Sequence, residues 1–295
     1  MANFLARIAD NPFMVATLID VVAGYTIESV LGVGGMGVVY KAKNPQLPRS
    51  DALKVLTTSV QGDGQFRERF LREANVAATL DHPNIVGFRT AGEAGGQLYV
   101  VMEYVPGRSA AAVAARDGTI APTRLLGWAA QFLDALAHAH ARGFVHRDLK
   151  PANLLVTETP GGEVVRVADF GLARAYEVTG LSGLTRTNAT GGTLAYMPPE
   201  QVRDFRAAGP PADQYAAAAT LYFLLTGHPV YDFPTEAHLQ YSLLLQTQPV
   251  PIRQRRPELP DALVSAIHKA LQRNPANRYK DIAGFREALR RATRY

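Results

Sequence analysis

The first third of the chain alternates apolar and polar residues with the period of strands, and the remainder carries the longer period of helices. Residues 25–33 and 38–43 read as two strands around a glycine turn, and 51–56 as a third. A helical stretch follows at 64–80, with Phe66, Phe70, Leu71, Ala74, Ala77 and Ala78 on one face and charges opposite. Runs at 85–93 and 97–104 close the strand-rich part. After Pro106-Gly107 the spacing predicts helices over 124–142, 212–226, 236–246, 261–272 and 279–291, with a strand at 164–167 and Pro or Gly in the gaps. This is the α+β pattern of a small β-rich lobe with one main helix, followed by a larger, mostly helical lobe. A cleft between two such lobes is the natural ligand site.

Composition narrows the reading little. A chain of 295 residues, 47% hydrophobic, can bury a substantial core and is not a disordered chain. The net charge of +5 is mild, and the short cluster Arg253, Arg255 and Arg256 reads as a solvated basic face. No basic stripe is interleaved with stacking aromatics, so nucleic acid is not an expected partner. The absence of cysteine removes disulfides, thiolate metal sites and a Cys nucleophile, and fits a reducing cytosol. Residues 1–24 read as an amphipathic extension, two helical pieces split at Asn11-Pro12. The apolar run 12–19 is too short to span a bilayer and is no secretory signal, so no membrane segment is expected.

Three motifs carry the chemistry. Gly32-Val33-Gly34-Gly35-Met36-Gly37-Val38-Val39 lets backbone approach phosphates closely. A GxGxxG alone is weak evidence, because dinucleotide-binding folds share it, but those place a helix after the glycines and here a strand follows. Lys54 lies in an apolar strand below this loop. Taken singly it is ordinary edge decoration; paired with Glu73 on the following helix it could hold two phosphates. The decisive stretch is His146-Arg147-Asp148-Leu149-Lys150-Pro151-Ala152-Asn153, followed by a strand and Asp169-Phe170-Gly171. Phosphoryl transfer needs an oriented nucleophile, a held metal and neutralised charge. Asp148 can accept a hydrogen bond from an incoming hydroxyl, and Lys150 can neutralise the moving phosphoryl group. Asn153 and Asp169 offer the oxygen ligands that a hard divalent ion prefers.

In order and in residue type, these motifs and a later Pro-Pro-Glu resemble the protein kinase superfamily, specifically the bacterial eukaryotic-like Ser/Thr kinases. The resemblance implies the bilobal protein kinase fold over residues 25–292, with an N-lobe at 25–103, a hinge at 103–106 and a C-lobe at 107–292. It implies ATP with Mg²⁺, or Mn²⁺ in its place, and protein substrates. Nucleotide would then contact Gly32, Val33, Gly34, Gly35, Met36, Gly37, Val39, Lys54 and Glu73. Met102 becomes the gatekeeper, and the backbones of Glu103 and Val105 bind adenine. Asp148 and Lys150 are catalytic, and Asn153 and Asp169 hold the metal. Residues 192–200 resemble a peptide-docking segment, with Thr193 near Asp148 and Lys150, Glu200 paired with Arg278, and Asp213 beneath the catalytic loop. Arg147 would meet a phosphate on the activation loop, with Thr185 and Thr187 as autophosphorylation sites and self-association as the route. Pro198 departs from the usual Ala of the family.

Two other classes compete. A binding-only pseudokinase would show degenerate Lys, HRD or DFG residues, and these are intact. A small-molecule phosphotransferase would lack the docking segment. For His138 and His140 packing or surface roles suffice, Trp128 reads as a partly buried helix residue, and residues 157–163 read as a hairpin or loop without chemistry. A cytoplasmic location is expected, with or without attachment to a longer membrane-anchored protein.

Overall fold

The alternating segment folds as an antiparallel sheet of six strands in the order β1-β2-β3-β4-β6-β5. These are β1 (Val21–Val22), β2 (Tyr25–Gly34), β3 (Gly37–Lys43), β4 (Ser50–Ser59), β5 (Phe88–Ala94) and β6 (Gln97–Glu103). The computed structural model describes residues 21–34, 37–59, 67, 68, 70–72, 74, 78–170, 193–205 and 207–292. They form two compact units, one holding the described residues up to 79 together with 87–105, the other holding 80–86 and 106–292. In the first unit the period-2 pattern turns Tyr25, Tyr40, Ala42, Leu53, Val55 and Val101 onto a shared apolar core. The described residues among 67–74 are helical.

The second unit is mixed. A three-stranded sheet, β7 (Arg108–Ser109), β8 (Leu154–Thr159) and β9 (Gly162–Val167), accompanies helices α1 (Ala110–Asp117), α2 (Pro122–His140), α3 (Pro199–Arg203), α4 (Pro210–Thr226), α5 (Ala237–Gln246), α6 (Asp261–Ala270) and α7 (Ile282–Arg291). On α2, Leu125, Trp128, Ala129, Phe132, Leu133, Leu136 and Ala139 recur at helical spacing and are buried. α4 is buried on nearly every side and packs against α2, α6 and α7. It stops at Gly227, whose φ of 75° lets its N–H bond the Phe223 carbonyl at 2.7 Å.

Several boundaries differ from the sequence pattern for identifiable reasons. The strand expected at 85–93 begins only at Phe88. The backbone just before it is bonded to β9 instead: Val167 N–H donates to Asn84 O at 2.8 Å, and Val86 N–H to Val167 O at 2.9 Å. The helix expected from 279 starts at Ile282, because Tyr279 N–H is taken by the Gln214 side chain and Asp281 caps Gly284. Pro122 opens α2 two residues earlier than expected, at a position where its missing N–H costs nothing. The short elements α1, α3, β7 and β8 carry too few periodic residues to be read in advance.

The arginine cluster is not the solvated basic face that its spacing suggests. Arg256 donates to the carbonyls of Leu225 (2.6 Å) and Ile120 (3.2 Å), closing the C-terminal end of α4. Arg255 lies over the Tyr222 ring, 5.5 Å from its centroid, and pairs with Asp232. Arg253 pairs with Asp261. These cations are fitted to carbonyls, a ring and carboxylates that only the tertiary fold brings to them.

Candidate active site

The loop that follows α2 is shaped by one buried carboxylate. Asp213, in the first turn of α4 and fully buried, accepts from the backbone N–H of His146 at 2.7 Å and of Arg147 at 2.8 Å. His140 Nε2 lies 2.8 Å from the same Oδ2 that receives the His146 N–H. Burial pushes this carboxyl up, but the hydrogen bond and charge of His140, with help from His146, outweigh it and hold the group below its ordinary value. Arg147 has φ 64°, an uncommon conformation for a side-chain-bearing residue. Asp213 fixes its N–H, Gln201 Nε2 donates to its carbonyl at 2.6 Å, and its own Nε donates to Ala208 O at 3.0 Å. A strained conformation persists only where its surroundings fix it in this way.

The loop so held gathers four side chains. Lys150 Nζ donates to both carboxylate oxygens of Asp148, at 3.0 and 2.9 Å, and to Thr193 Oγ1 at 3.1 Å. Asn153, buried in a short 3₁₀ turn, donates its amide to Asp148 O at 2.8 Å and Asp148 Oδ2 at 3.3 Å. His146 takes no part as an acid or base in this arrangement. Its Nε2 donates to Ala168 O at 2.9 Å and its Nδ1 accepts Asp148 N–H at 3.2 Å, so the ring is a structural strut. Ala168 N–H in turn donates to Asn153 O at 2.8 Å, which fixes the chain leading into Asp169. Asp169 has φ 62°, and Phe170 packs edge-on to His146 with ring centroids 4.7 Å apart.

Farther from this cluster, Glu200 on α3 accepts both guanidinium N–H groups of Arg278, at 2.5 and 2.8 Å. Arg278 is buried and also donates to the carbonyls of Pro211 and Gln272 at 2.7 Å each. Pro198 is buried at the entry to α3, where its ring suits the extended backbone before the helix. Burial pushes the hydroxyl of Tyr196 up, out of range of any acid–base role near neutrality.

In the first unit, strand register aligns the residues singled out for nucleotide. Gly32 faces Val39 across β2 and β3, and Val39 faces Lys54 across β3 and β4. Lys54 is buried, and two residues along Ala52 faces Met102. Gly37 has φ 152°, and a Cβ there would run into the Val55 carbonyl, so only glycine lets β3 approach β4 at this point. Val33 and Gly34 are exposed at the end of β2, and Met102 and Val105 are buried. Glu103 N–H donates to Gly87 O at 2.7 Å. Gly35, Met36, Glu73, Gly171, Thr185, Thr187 and the segment 1–20 lie outside the described residues.

Sequence reading missed two members of the second unit's site. His140, given a packing or surface role, is a partner of Asp213, and Gln201 holds the Arg147 carbonyl. His140 sits at the last turn of α2 facing the loop, a placement that the helical period alone does not reveal. Residues 157–163 hold one structural anchor. Glu163 accepts from Arg124 at 2.6 and 2.9 Å and from Trp128 Nε1 at 2.8 Å, so Trp128 is fully buried rather than partly exposed.

Comparison with known proteins accords with this geometry. A family model for the protein kinase domain matches residues 25–291. The serine/threonine-protein kinase PknF of Mycobacterium tuberculosis is 43% identical over 275 residues, covering 90% of this chain and 56% of that protein. The serine/threonine-protein kinase PknJ of the same organism is 41% identical over 271 residues, covering 91% and 45%. The chain thus spans about half the length of the curated relatives it matches. The crystal structure of the M. tuberculosis PknI kinase domain superposes with a TM-score of 0.72 at 32% identity, over 94% of this chain and 100% of that one. Residues 1–466 of Rad53, in complex with AMP-PNP, superpose with a TM-score of 0.72 at 26% identity, over 89% and 64%. With its α+β fold, its loop cluster and the match over residues 25–291, the chain belongs to the protein kinase domain family.

Proposed function

We propose that the chain transfers the γ-phosphoryl group of ATP to serine and threonine hydroxyls of protein substrates, with Asp148 and Lys150 at the reacting atoms. The observation that carries this reading is the Asp148–Lys150–Thr193–Asn153 cluster on a loop fixed by buried Asp213. Asp148 orients the attacking hydroxyl and holds its proton. Lys150, already bonded to Thr193, moves its charge from Asp148 toward the transferring phosphoryl oxygens. A side chain as short as serine or threonine must come close to Asp148, and the Thr193–Lys150 bond closes that side of the site. Lys54 and the glycine loop hold the triphosphate, and the 102–105 segment holds adenine.

The donor set suits a hard divalent ion. Asn153 spends its amide N–H groups on Asp148, which turns its carbonyl oxygen the other way, and Asp169 adds a carboxylate. Asn153 and Asp169 would hold Mg²⁺, or Mn²⁺. The bound ion would supply positive charge against the phosphate oxygens of the nucleotide.

Regulation follows from the same loop. Phosphates on Thr185 and Thr187, added by a second copy of the chain, would pair with Arg147 and order the docking segment. The kinase domain is taken to run over 25–292, with 1–24 as an extension and 103–106 as the hinge. No helix among the described residues is long and apolar enough to cross a membrane. A cytoplasmic site of action, alone or within a longer anchored protein, matches the ATP requirement. Phosphate incorporation from labelled ATP into a generic basic protein, followed by phosphoamino-acid analysis, tests the specificity. Phosphoserine and phosphothreonine that vanish on chelating the divalent ion are expected; phosphotyrosine, or label indifferent to chelation, would overturn the reading.

A further inference from the structure

A second histidine cluster lies in the same unit as the catalytic loop and takes no part in the chemistry described above. His82, on the segment 80–86, and His138, on α2, face each other with ring centroids 4.9 Å apart. The hydrogen bonds assign the protons. His82 Nδ1 accepts the Asn84 N–H at 3.1 Å, so its proton sits on Nε2, which lies 3.4 Å from Asp134. His138 Nδ1 accepts from Arg142 at 3.2 Å, so its proton sits on Nε2, which is buried with no partner among the described residues. Each ring can therefore take a second proton only at an Nδ1 that already faces a donor. For His82 that donor is a backbone N–H and for His138 a guanidinium, and neither can turn round to accept.

We propose that the His82–His138 pair is a proton-sensitive latch, holding segment 80–86 to α2 and β9 while both rings are neutral and loosening it when either is protonated. The latch acts on a defined set of bonds. Asn84 Nδ2 donates to Gln131 Oε1 on α2 at 3.0 Å and to Val165 O on β9 at 2.8 Å. Asn84 O and Val86 N–H bond the backbone of Val167, two residues before Asp169. Protonating His82 expels the Asn84 N–H from its acceptor and disturbs the residue through which these bonds run.

Charges of both signs surround the pair. Asp81 on the segment and Asp134 on α2 favour a cation, but Asp134 is half exposed and shared with Arg286 of α7. Arg142 opposes a cation directly, and Arg166 of β9 sits nearby, donating to Pro83 O at 3.2 Å. Burial, then Arg142, holds both rings below the ordinary histidine value, and for His138 the neighbouring His82 adds to this. The sign follows. The unfolded chain binds these protons more readily, so the stabilisation is complete above about pH 6.5 and is lost as pH falls through the folded values.

The test is imidazole nitrogen NMR on the whole chain from pH 8 to 5, with amide hydrogen exchange at Asn84, Val86 and Val167 corrected for its intrinsic pH dependence. Both rings should be Nε2–H tautomers that titrate below 6.5. Protection at the three amides should fall as they titrate, by about tenfold for each unit that the folded value lies below the unfolded one. His138→Phe should remove the His138 share of that loss and leave only the part that His82 causes. A ring that titrates at or above 6.5, or protection that stays constant through the titration, overturns the latch, and the parent protein decides the matter even if the variant does not fold. None of these readouts depends on phosphotransfer, so they stand apart from the proposed activity.

Discussion

Asp213 receives the two backbone donors that shape the catalytic loop, and no solvent reaches it to replace a lost partner. Asp213→Ala leaves both N–H groups buried without an acceptor. A cost of about 2–5 kcal/mol is expected, measured by urea unfolding. Asp213→Asn keeps one acceptor oxygen, so the chain should fold while Arg147 loses part of the support for its φ of 64°. We expect kcat to fall by at least about tenfold with the KM for ATP little changed, the pattern of a lost positioning interaction. The same residue sets an acid limit. A carboxylate held below its ordinary value stabilises the fold above its unfolded pKa of about 3.9 and loses that contribution as pH falls through the folded value. Acid unfolding monitored by circular dichroism should therefore be shallower below about pH 4 in Asp213→Asn than in the parent.

At the scale of elements, a few polar side chains join pieces far apart in sequence. Arg278 ties α3 through Glu200, the start of α4 through Pro211 and the end of α6 through Gln272. Glu200→Gln strands a guanidinium whose side chain is fully buried, and should cost about 3–5 kcal/mol in a denaturant titration. A loss below about 1 kcal/mol would show that the carbonyls alone satisfy it. Glu163→Ala should cost less, about 1–3 kcal/mol, by leaving Trp128 Nε1 without an acceptor where α2 meets β9. These joints also mark how far the sequence could be read. His146 through Asn153, and again Asp169 through Gly171, are each contiguous in the sequence, so their types and order are visible directly. Long helices such as α2 and α4 announce themselves by period and by their Pro and Gly ends. His140, Gln201, Asn84 and Gln131 were not legible, because each acts on a partner that only tertiary folding supplies. The strand expected at 85–93 starts three residues late for the same reason, since Asn84 and Val86 spend their backbone bonds on β9.

For the whole molecule, the two units divide the residues of the proposed reaction. The strand-built unit carries Lys54 in register with Val39 and Gly32, and the helical unit carries Asp148, Lys150, Asn153 and Asp169. Regulation at Thr185 and Thr187 belongs to this scale, because phosphate there would act through Arg147 on the loop that Asp213 holds. A Thr185→Ala, Thr187→Ala double variant should lose most of its self-incorporated phosphate by mass spectrometry and show kinase activity lower by about tenfold or more. Equal activity and equal phosphate would remove that regulatory proposal and leave the chemistry intact. The central claim rests on Asp148, and its most direct test is phosphate transfer from labelled ATP by the parent and by Asp148→Asn, with ATP binding measured in both. The account predicts equal ATP binding, transfer to serine and threonine by the parent, and a loss of at least about a hundredfold in the variant. Transfer that survives in Asp148→Asn, or ATP binding without any transfer by the parent, would contradict it.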